Sequence, residues 1–277
     1  MIVEKTGFIG GGNMARAIAG GLLRGGMPAA DLLIAEPVAA QSERLRKELF
    51  GALVTDDNRK VAAGSQILLF AVKPQILKSV CTELADTVQQ HKPLIISIAA
   101  GPRIDDIDAW LGGNLSVVRV MPNQPALIDQ GVSALYANER ARERDRSLAE
   151  KIMSAVGHVV WLEHEDLMDA VTAVSGTGPA YFYLLIDILI TAAVKMGIDP
   201  DTARALAVQT ARGAASLALA EQEPMESLIN RVRSPGGTTT AAFERLDGAD
   251  VRGIFSDAIE AARDRATALA QEAGAKQ

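Results

Sequence analysis

The chain has 277 residues, 48% of them hydrophobic, and a formal net charge of −6. That length is enough for a sizeable core in one or two domains, and the composition excludes a disordered chain. Aromatic residues at only 4%, the negative charge and the absence of a dense basic run exclude nucleic acid and anionic membrane as main partners.

Short β-rich runs alternate with helical patterns up to about residue 162. The runs are TGFIG, DLLIAE, ALVT, QILLFAV, PLIISIA, LSVVRVM, GVSALYA and HVVWL. Helices are expected to begin near Asn13, Ala39, Asp57, Pro74 and Ile104 between the first six of them. Nearly continuous apolar strands such as ILLFAV and LIISIA suit a sheet covered on both faces. Alternation of strand and helix gives βαβ units, hence a mostly parallel, doubly wound α/β sheet of the Rossmann type.

The first expected turn, FIGGGNMA, matches G-x-G-x-x-[GA] through Gly10, Gly12 and Ala15, and Glu36 ends the second strand about 20 residues on. Gly10 allows the tight turn, Gly12 lets backbone approach a pyrophosphate, and small Ala15 lets helix and strand pack closely. The pyrophosphate then meets the amides and dipole of the helix that opens at Asn13 and Met14. Glu36 would accept hydrogen bonds from a ribose and repel a 2′-phosphate, favouring NADH over NADPH, although Arg44 or Arg46 could still reach a phosphate. AVKP (Ala71, Val72, Lys73, Pro74), SIAAG (with Ala99) and VMPNQP (with Pro122 and Asn123) end further strands, where ligands of such sheets bind. Lys73 is either a phosphate or ribose contact or a solvated strand end.

Single residues and runs between these strands carry less. Cys81 lies in an amphipathic segment and reads as a small core residue. The run ERARERDR (139–146) reads as a solvated helix surface. His91, His158 and His164 lack ligand spacing, so no metal is expected.

After Glu163 the pattern becomes helical throughout: 166–174, 179–196, 200–220, 225–232, 238–246 and 250–272, broken at SGTGP, MGIDP, EQEP, SPGG and DGAD. The expected boundary divides the chain into 1–163 and an all-helical 164–277. No fixed-period repeat is present. The tract 180–194 is strongly apolar but is split by Asp187, so a buried helix is expected rather than a membrane span. With no apolar N-terminal stretch of signal-peptide length, the protein is expected to be soluble and cytoplasmic. The helical part carries much apolar surface for its size, which suggests packing against a second copy.

SPGGTT (234–239) places two glycines before a helix start, an arrangement that supplies amides and a favourable dipole to a carboxylate. Thr238 or Thr239 can equally serve as a helix cap alone. SGTGPAY likewise admits a purely structural reading as a turn with Pro179 at a helix start.

Taken together, GFIGGGNMA, the TDDN run ending at Asn58, AVKPQ, SIAAG, RVMPNQPA, AVSGTGPAYFY and SPGGTT resemble the pyrroline-5-carboxylate reductases almost end to end. The resemblance implies NADH- or NADPH-dependent reduction of a cyclic imine to L-proline, and a homodimer interlocked through the helical domain, often assembled into decamers. By position it implies cofactor contacts at Asn58, Ala71, Val72, Lys73, Pro122 and Asn123. It also implies substrate carboxylate contacts at Ser234, Gly236, Gly237 and Thr238, with Thr239 facing the imine nitrogen. Thr177 stands where the family more usually has serine, and Glu36 where it often has a small polar residue. Two other readings remain at this point: a β-hydroxyacid dehydrogenase, which would need a lysine near the start of SGTGPAYFYLLIDIL, and a dinucleotide-sensing regulator without turnover.

Overall fold

The computed structural model describes residues 4–275 and divides into two compact units. One comprises the chain through Thr177 together with the segment from Ala262 onward; the other is Gly178–Ala261.

The first unit is built on eight strands: β1 (Thr6–Ile9), β2 (Leu32–Ala35), β3 (Leu53–Thr55), β4 (Ile67–Phe70), β5 (Leu94–Ser97), β6 (Val117–Met121), β7 (Gly131–Ala137) and β8 (Gly157–Trp161). They form one sheet in the order β3-β2-β1-β4-β5-β6-β7-β8. All neighbours pair in parallel except β6 with β7. Successive side chains of a strand point to opposite faces, so the apolar runs separate into two cores. Phe8, Leu32, Ile34, Leu69 and Ile96 pack on one face against Ile18 and Leu22 of α1 (Asn13–Arg24) and Ile152 of α6 (Glu143–Ser154). Ile9, Leu33, Leu68, Phe70 and Ile95 pack on the other face. Their partners are Val61 of α3 (Asn58–Gly64), Leu77, Cys81 and Leu84 of α4 (Pro74–His91), and Ile107 of α5 (Ile104–Trp110). The expected doubly wound fold is therefore the observed one. Cys81 is fully buried in this second core, and burial pushes its thiol up to about 12. α2 (Ala39–Glu48) follows β2.

The run 139–146 is only partly helical. Glu139–Arg142 lie ahead of α6, which starts at Glu143, where Asp145 Oδ2 accepts from the Arg142 N–H at 3.3 Å. An acid at the third position of α6, late in the mixed-charge run, thus sets the helix start later than its charge pattern suggests.

The second unit holds α8 (Gly178–Lys195), α9 (Pro200–Ala220), α10 (Met225–Val232), α11 (Thr238–Gly248) and the first part of α12 (Val251–Ala275). Asp199 Oδ1 caps α9 by accepting from the Thr202 N–H, with Pro200 in the first turn, so MGIDP is a true helix break. SGTGP is not a break. α7 (Leu167–Val171) runs on through a π-turn at Thr172–Gly176 into α8, and the Thr177 N–H reaches the Thr172 carbonyl five residues back at 2.8 Å. The hydroxyls of Thr172, Ser175 and Thr177 bond to the carbonyls of Met168, Val171 and Thr172, which keeps the wide turn's polar groups paired despite Gly176 and Pro179.

The expectation of burial for 180–194 also needs correction. Phe182, Leu184, Ile188 and Leu189 are each at least half exposed in the single chain. The helical stretch Leu167–Lys195 is long and apolar enough, by length and composition, to cross a membrane, yet only 6% of its most apolar window is buried. A helix apolar all round needs neighbours on every side, and the described residues of the single chain do not supply them.

Candidate active site

The carboxyl ends of the central strands are stitched together by backbone bonds. Gly10 N–H donates to Ala35 O at 2.9 Å, Ala71 N–H to Ile9 O at 2.8 Å and Ile98 N–H to Phe70 O at 3.1 Å. The sheet order reverses between β1 and β4, and a crevice at such a switch point is where dinucleotides bind doubly wound sheets. Gly10 sits there with φ +96, and a Cβ on it would come within 2.9 Å of the Ala71 carbonyl oxygen. Gly12 differs: its backbone is extended, and a Cβ on it would meet nothing within 4 Å. It is the N-cap of α1, with no side-chain cap on the helix amides. Open space beside uncapped amides fits a pyrophosphate. Asn13, exposed, and Met14, half-buried, open the helix. A nicotinamide dinucleotide therefore fits the donors and the space this turn presents.

Glu36 lies just beyond β2 and is 5% exposed. Its Oε2 accepts from the Gly11 N–H at 2.9 Å and its Oε1 from the Val38 N–H at 2.8 Å, so the carboxylate is clasped to the glycine turn. The two arginines weighed as phosphate partners are engaged nearby. Arg44 Nε donates to Glu48 at 2.7 Å and Arg46 Nη2 to the Val54 carbonyl at 3.3 Å. The Arg44 hydrogen bond, reinforced by Arg16, holds the Glu48 carboxyl below the usual carboxylate range.

Further along the same edge, Asn58 is the first residue of α3, with Asp57 as its cap accepting from the Lys60 N–H. Ala71 and Val72 are half-buried, Lys73 is exposed as the N-cap of α4, and Pro74 opens that helix. Ala99 and Pro122 are buried. Asn123, 9% exposed, uses both ends of its amide inside the protein: Oδ1 accepts from the Val132 N–H at 2.9 Å and Nδ2 donates to the Ser175 carbonyl at 3.2 Å.

Sequence reasoning missed Arg119. It is 4% exposed on β6, and its Nη1 donates at 2.9 Å to Glu165, whose Oε1 also accepts from the Ile104 N–H at the start of α5. The signal was present: a charge inside LSVVRVM, a strand meant for burial on both faces, must have a partner.

In the second unit, the Gly237 N–H donates to the Ser234 carbonyl at 2.9 Å, and Gly236 has φ +69. Pro235 followed by a left-handed glycine is the composition of a type II turn. Gly237 is the N-cap of α11 and provides no side-chain cap, while Thr238 and Thr239 are the helix's first two residues. Neither threonine is therefore the cap. The third, Thr240, turns its hydroxyl back to the Ser234 carbonyl at 2.7 Å. Arg233 lies over the Phe243 ring at 4.8 Å, bracketing the turn. Ser234, Gly236 and Thr238 are exposed, and Gly237 and Thr239 half-buried.

Comparison with known proteins gives concordant results. Residues 165–269 match the family model for pyrroline-5-carboxylate reductase dimerisation, and residues 5–101 match that for coenzyme F420-dependent NADP oxidoreductases. The pyrroline-5-carboxylate reductase of Pseudomonas aeruginosa is 41% identical over 274 residues, covering 99% of this chain and all of that protein. Among solved structures, the Coxiella burnetii pyrroline-5-carboxylate reductase superposes with a TM-score of 0.91 at 38% identity, covering 97% of this chain and 99% of that one. The Plasmodium falciparum enzyme, determined with NADP bound, gives 0.87 at 29% identity, covering 98% and 99%. By near full-length identity and by fold, the chain belongs to the pyrroline-5-carboxylate reductase family of oxidoreductases.

Proposed function

We propose that this protein reduces 1-pyrroline-5-carboxylate to L-proline, the last step of proline biosynthesis, as a soluble cytoplasmic homo-oligomer. The observation that carries the reading is the near full-length match to reductases of that name, in a chain whose glycine turn and SPGGTT turn are both intact. In this reading residues 1–163 serve the dinucleotide and 164–277 serve substrate and dimerisation. A second copy covers the exposed apolar face of α8, and such dimers assemble further, up to a decamer.

A reduced nicotinamide dinucleotide, when bound, supplies a hydride. The glycine turn and the α1 amides hold its pyrophosphate, Asn58 lies toward the adenosine, Ala71, Val72, Lys73, Pro74 and Ala99 along its length, and Pro122 and Asn123 toward the nicotinamide. In the second unit, Ser234, Gly236, Gly237 and Thr238 bind the substrate carboxylate at the N-terminus of α11. The Thr239 hydroxyl oxygen accepts a hydrogen bond from the protonated ring nitrogen. The imine reacts as its protonated form, so hydride arriving at carbon yields a neutral amine and no oxyanion needs stabilising. Orientation is then the main demand on the protein, which agrees with a turn holding hydroxyls rather than a strong acid. His164 and Lys195, the acids a ketone reductase would look to, are exposed outside this turn.

Oxidation of NADH and NADPH with pyrroline-5-carboxylate, beside reduction of NAD+ and NADP+ with a panel of 3-hydroxyacids, tests the reaction. Turnover confined to the hydroxyacids, or binding without turnover, would overturn it. Thr239→Ala is expected to lower kcat roughly tenfold or more, with little change in dinucleotide affinity; unchanged kinetics would remove Thr239 from the chemistry. On the cofactor, we propose that the buried Glu36 charge disfavours a 2′-phosphate and makes NADH the preferred donor. Glu36→Ala should then move the kcat/KM ratio toward NADPH by roughly tenfold. An unmoved ratio would mean that Glu36 does not sense the ribose.

A further inference from the structure

Two motifs far apart in sequence meet in the first unit, Asn123 and Ser175 being separated by 52 positions. Met121, at the end of β6, lies against Gly176: a Cβ there would come within 2.5 Å of Met121 Cε. Two residues on, Asn123 Nδ2 donates to the carbonyl of Ser175, inside the π-turn, while Asn123 Oδ1 accepts from the Val132 N–H at the start of β7. Pro179 brings no N–H to the carbonyl four residues back, which is that of Ser175. Asn123 therefore supplies a donor where the helix ladder lacks its usual one. Immediately after this turn, between Thr177 and Gly178, the chain passes from one compact unit to the other.

We infer that Asn123 is a positioning residue: its amide clasps the π-turn to the sheet and fixes where the chain leaves the first unit for the helices that carry SPGGTT. The inference rests on the proposed reaction and deepens it, because Asn123 has both ends of its amide engaged beside the point where the chain leaves the first unit. An amide suits the task for a reason of chemistry. It accepts at one end and donates at the other, and both ends are used. A carboxylate keeps the acceptor for Val132 but places negative charge against the Ser175 carbonyl. A protonated carboxyl restores the donor.

The test compares Asn123→Asp and Asn123→Ala with the wild-type protein. Hydrogen exchange, measured without substrate or cofactor, should show the Val132 amide still protected in Asn123→Asp but exposed in Asn123→Ala. Amides of residues 172–180 should exchange faster in both. In turnover with pyrroline-5-carboxylate, both variants are expected to lose roughly 10- to 100-fold in kcat. The kcat ratio of Asn123→Asp to wild type should rise as pH falls and the new carboxyl, raised by burial, takes up its proton. Asn123→Ala should show no such rise. Unchanged exchange at 172–180 or a flat ratio would overturn the inference. Failure of the wild-type protein to reduce the imine would instead sink the proposed reaction and leave the exchange result to be judged on its own.

Discussion

Gly12→Asp is expected to weaken dinucleotide binding by more than about a hundredfold while the protein remains folded. The reason lies in the difference between two neighbouring glycines. At Gly12 the backbone is extended and ordinary for any residue, and an added Cβ meets nothing. Aspartate is moreover a favourable N-cap: its carboxylate accepts from the α1 amides and complements the helix dipole. Those are the amides a pyrophosphate needs, so the new side chain both occupies the donors and repels the ligand. Loss of two charge-assisted bonds at about 1.5–3 kcal/mol each corresponds to a hundredfold or more in Kd. The Glu36 carboxylate on the neighbouring Gly11 amide opposes the new charge, so the melting temperature should stay within about 3 °C of wild type rather than rise. Gly10→Ala should behave in the opposite sense. With φ +96 and the Ala71 carbonyl in the way, it costs stability first and binding as a consequence. Titration of each variant with NADH and NADPH, beside thermal unfolding, checks both. Retained affinity in Gly12→Asp would mean that the pyrophosphate does not rest on this turn.

The fold was legible because its determinants are local and periodic. All eight apolar runs became strands, and their continuous character followed from helices on both faces. Pattern and structure part where a polar side chain pairs the backbone or where apolar surface stays exposed in the single chain. SGTGP carries two glycines and a proline, the punctuation of a break, yet three hydroxyls and Asn123 pair the carbonyls and carry the helix through. The tract 180–194 is apolar yet largely exposed in the single chain, and sequence pattern does not distinguish a tract buried within one chain from one left open on its surface. Within the site, the glycine turn was legible from spacing alone. That Glu36 turns its carboxylate onto Gly11 and Val38 was not, because acids at strand ends ordinarily face solvent or ligand. Of three consecutive threonines, the sequence offered no way to tell that Thr240 is the one bonded back to Ser234.

Arg119→Ala is expected to give the largest loss of stability of any substitution considered, about 3–5 kcal/mol. The Arg119–Glu165 pair is 2.9 Å long, with side chains only 5% and 15% exposed. Removing the guanidinium leaves a carboxylate in a poorly solvated place with the Ile104 amide as a remaining donor. For a unit of this size that loss lowers the melting temperature by roughly 10 °C or more. The exposed pair beside it provides the contrast. Arg103–Asp166 is shorter at 2.7 Å, but its partners are 45% and 77% exposed, and Arg103→Ala should cost less than about 1 kcal/mol. Distance alone would rank the two pairs the other way; burial decides. The double variant Arg119→Leu with Glu165→Leu separates the worth of the pair from the cost of stranding one charge. It should recover part of the loss, since neither charge is then buried alone, though the Ile104 amide loses its acceptor. Urea or thermal unfolding of the four proteins checks the ranking. A loss in Arg119→Ala no greater than in Arg103→Ala would show that water reaches Glu165 and screens it.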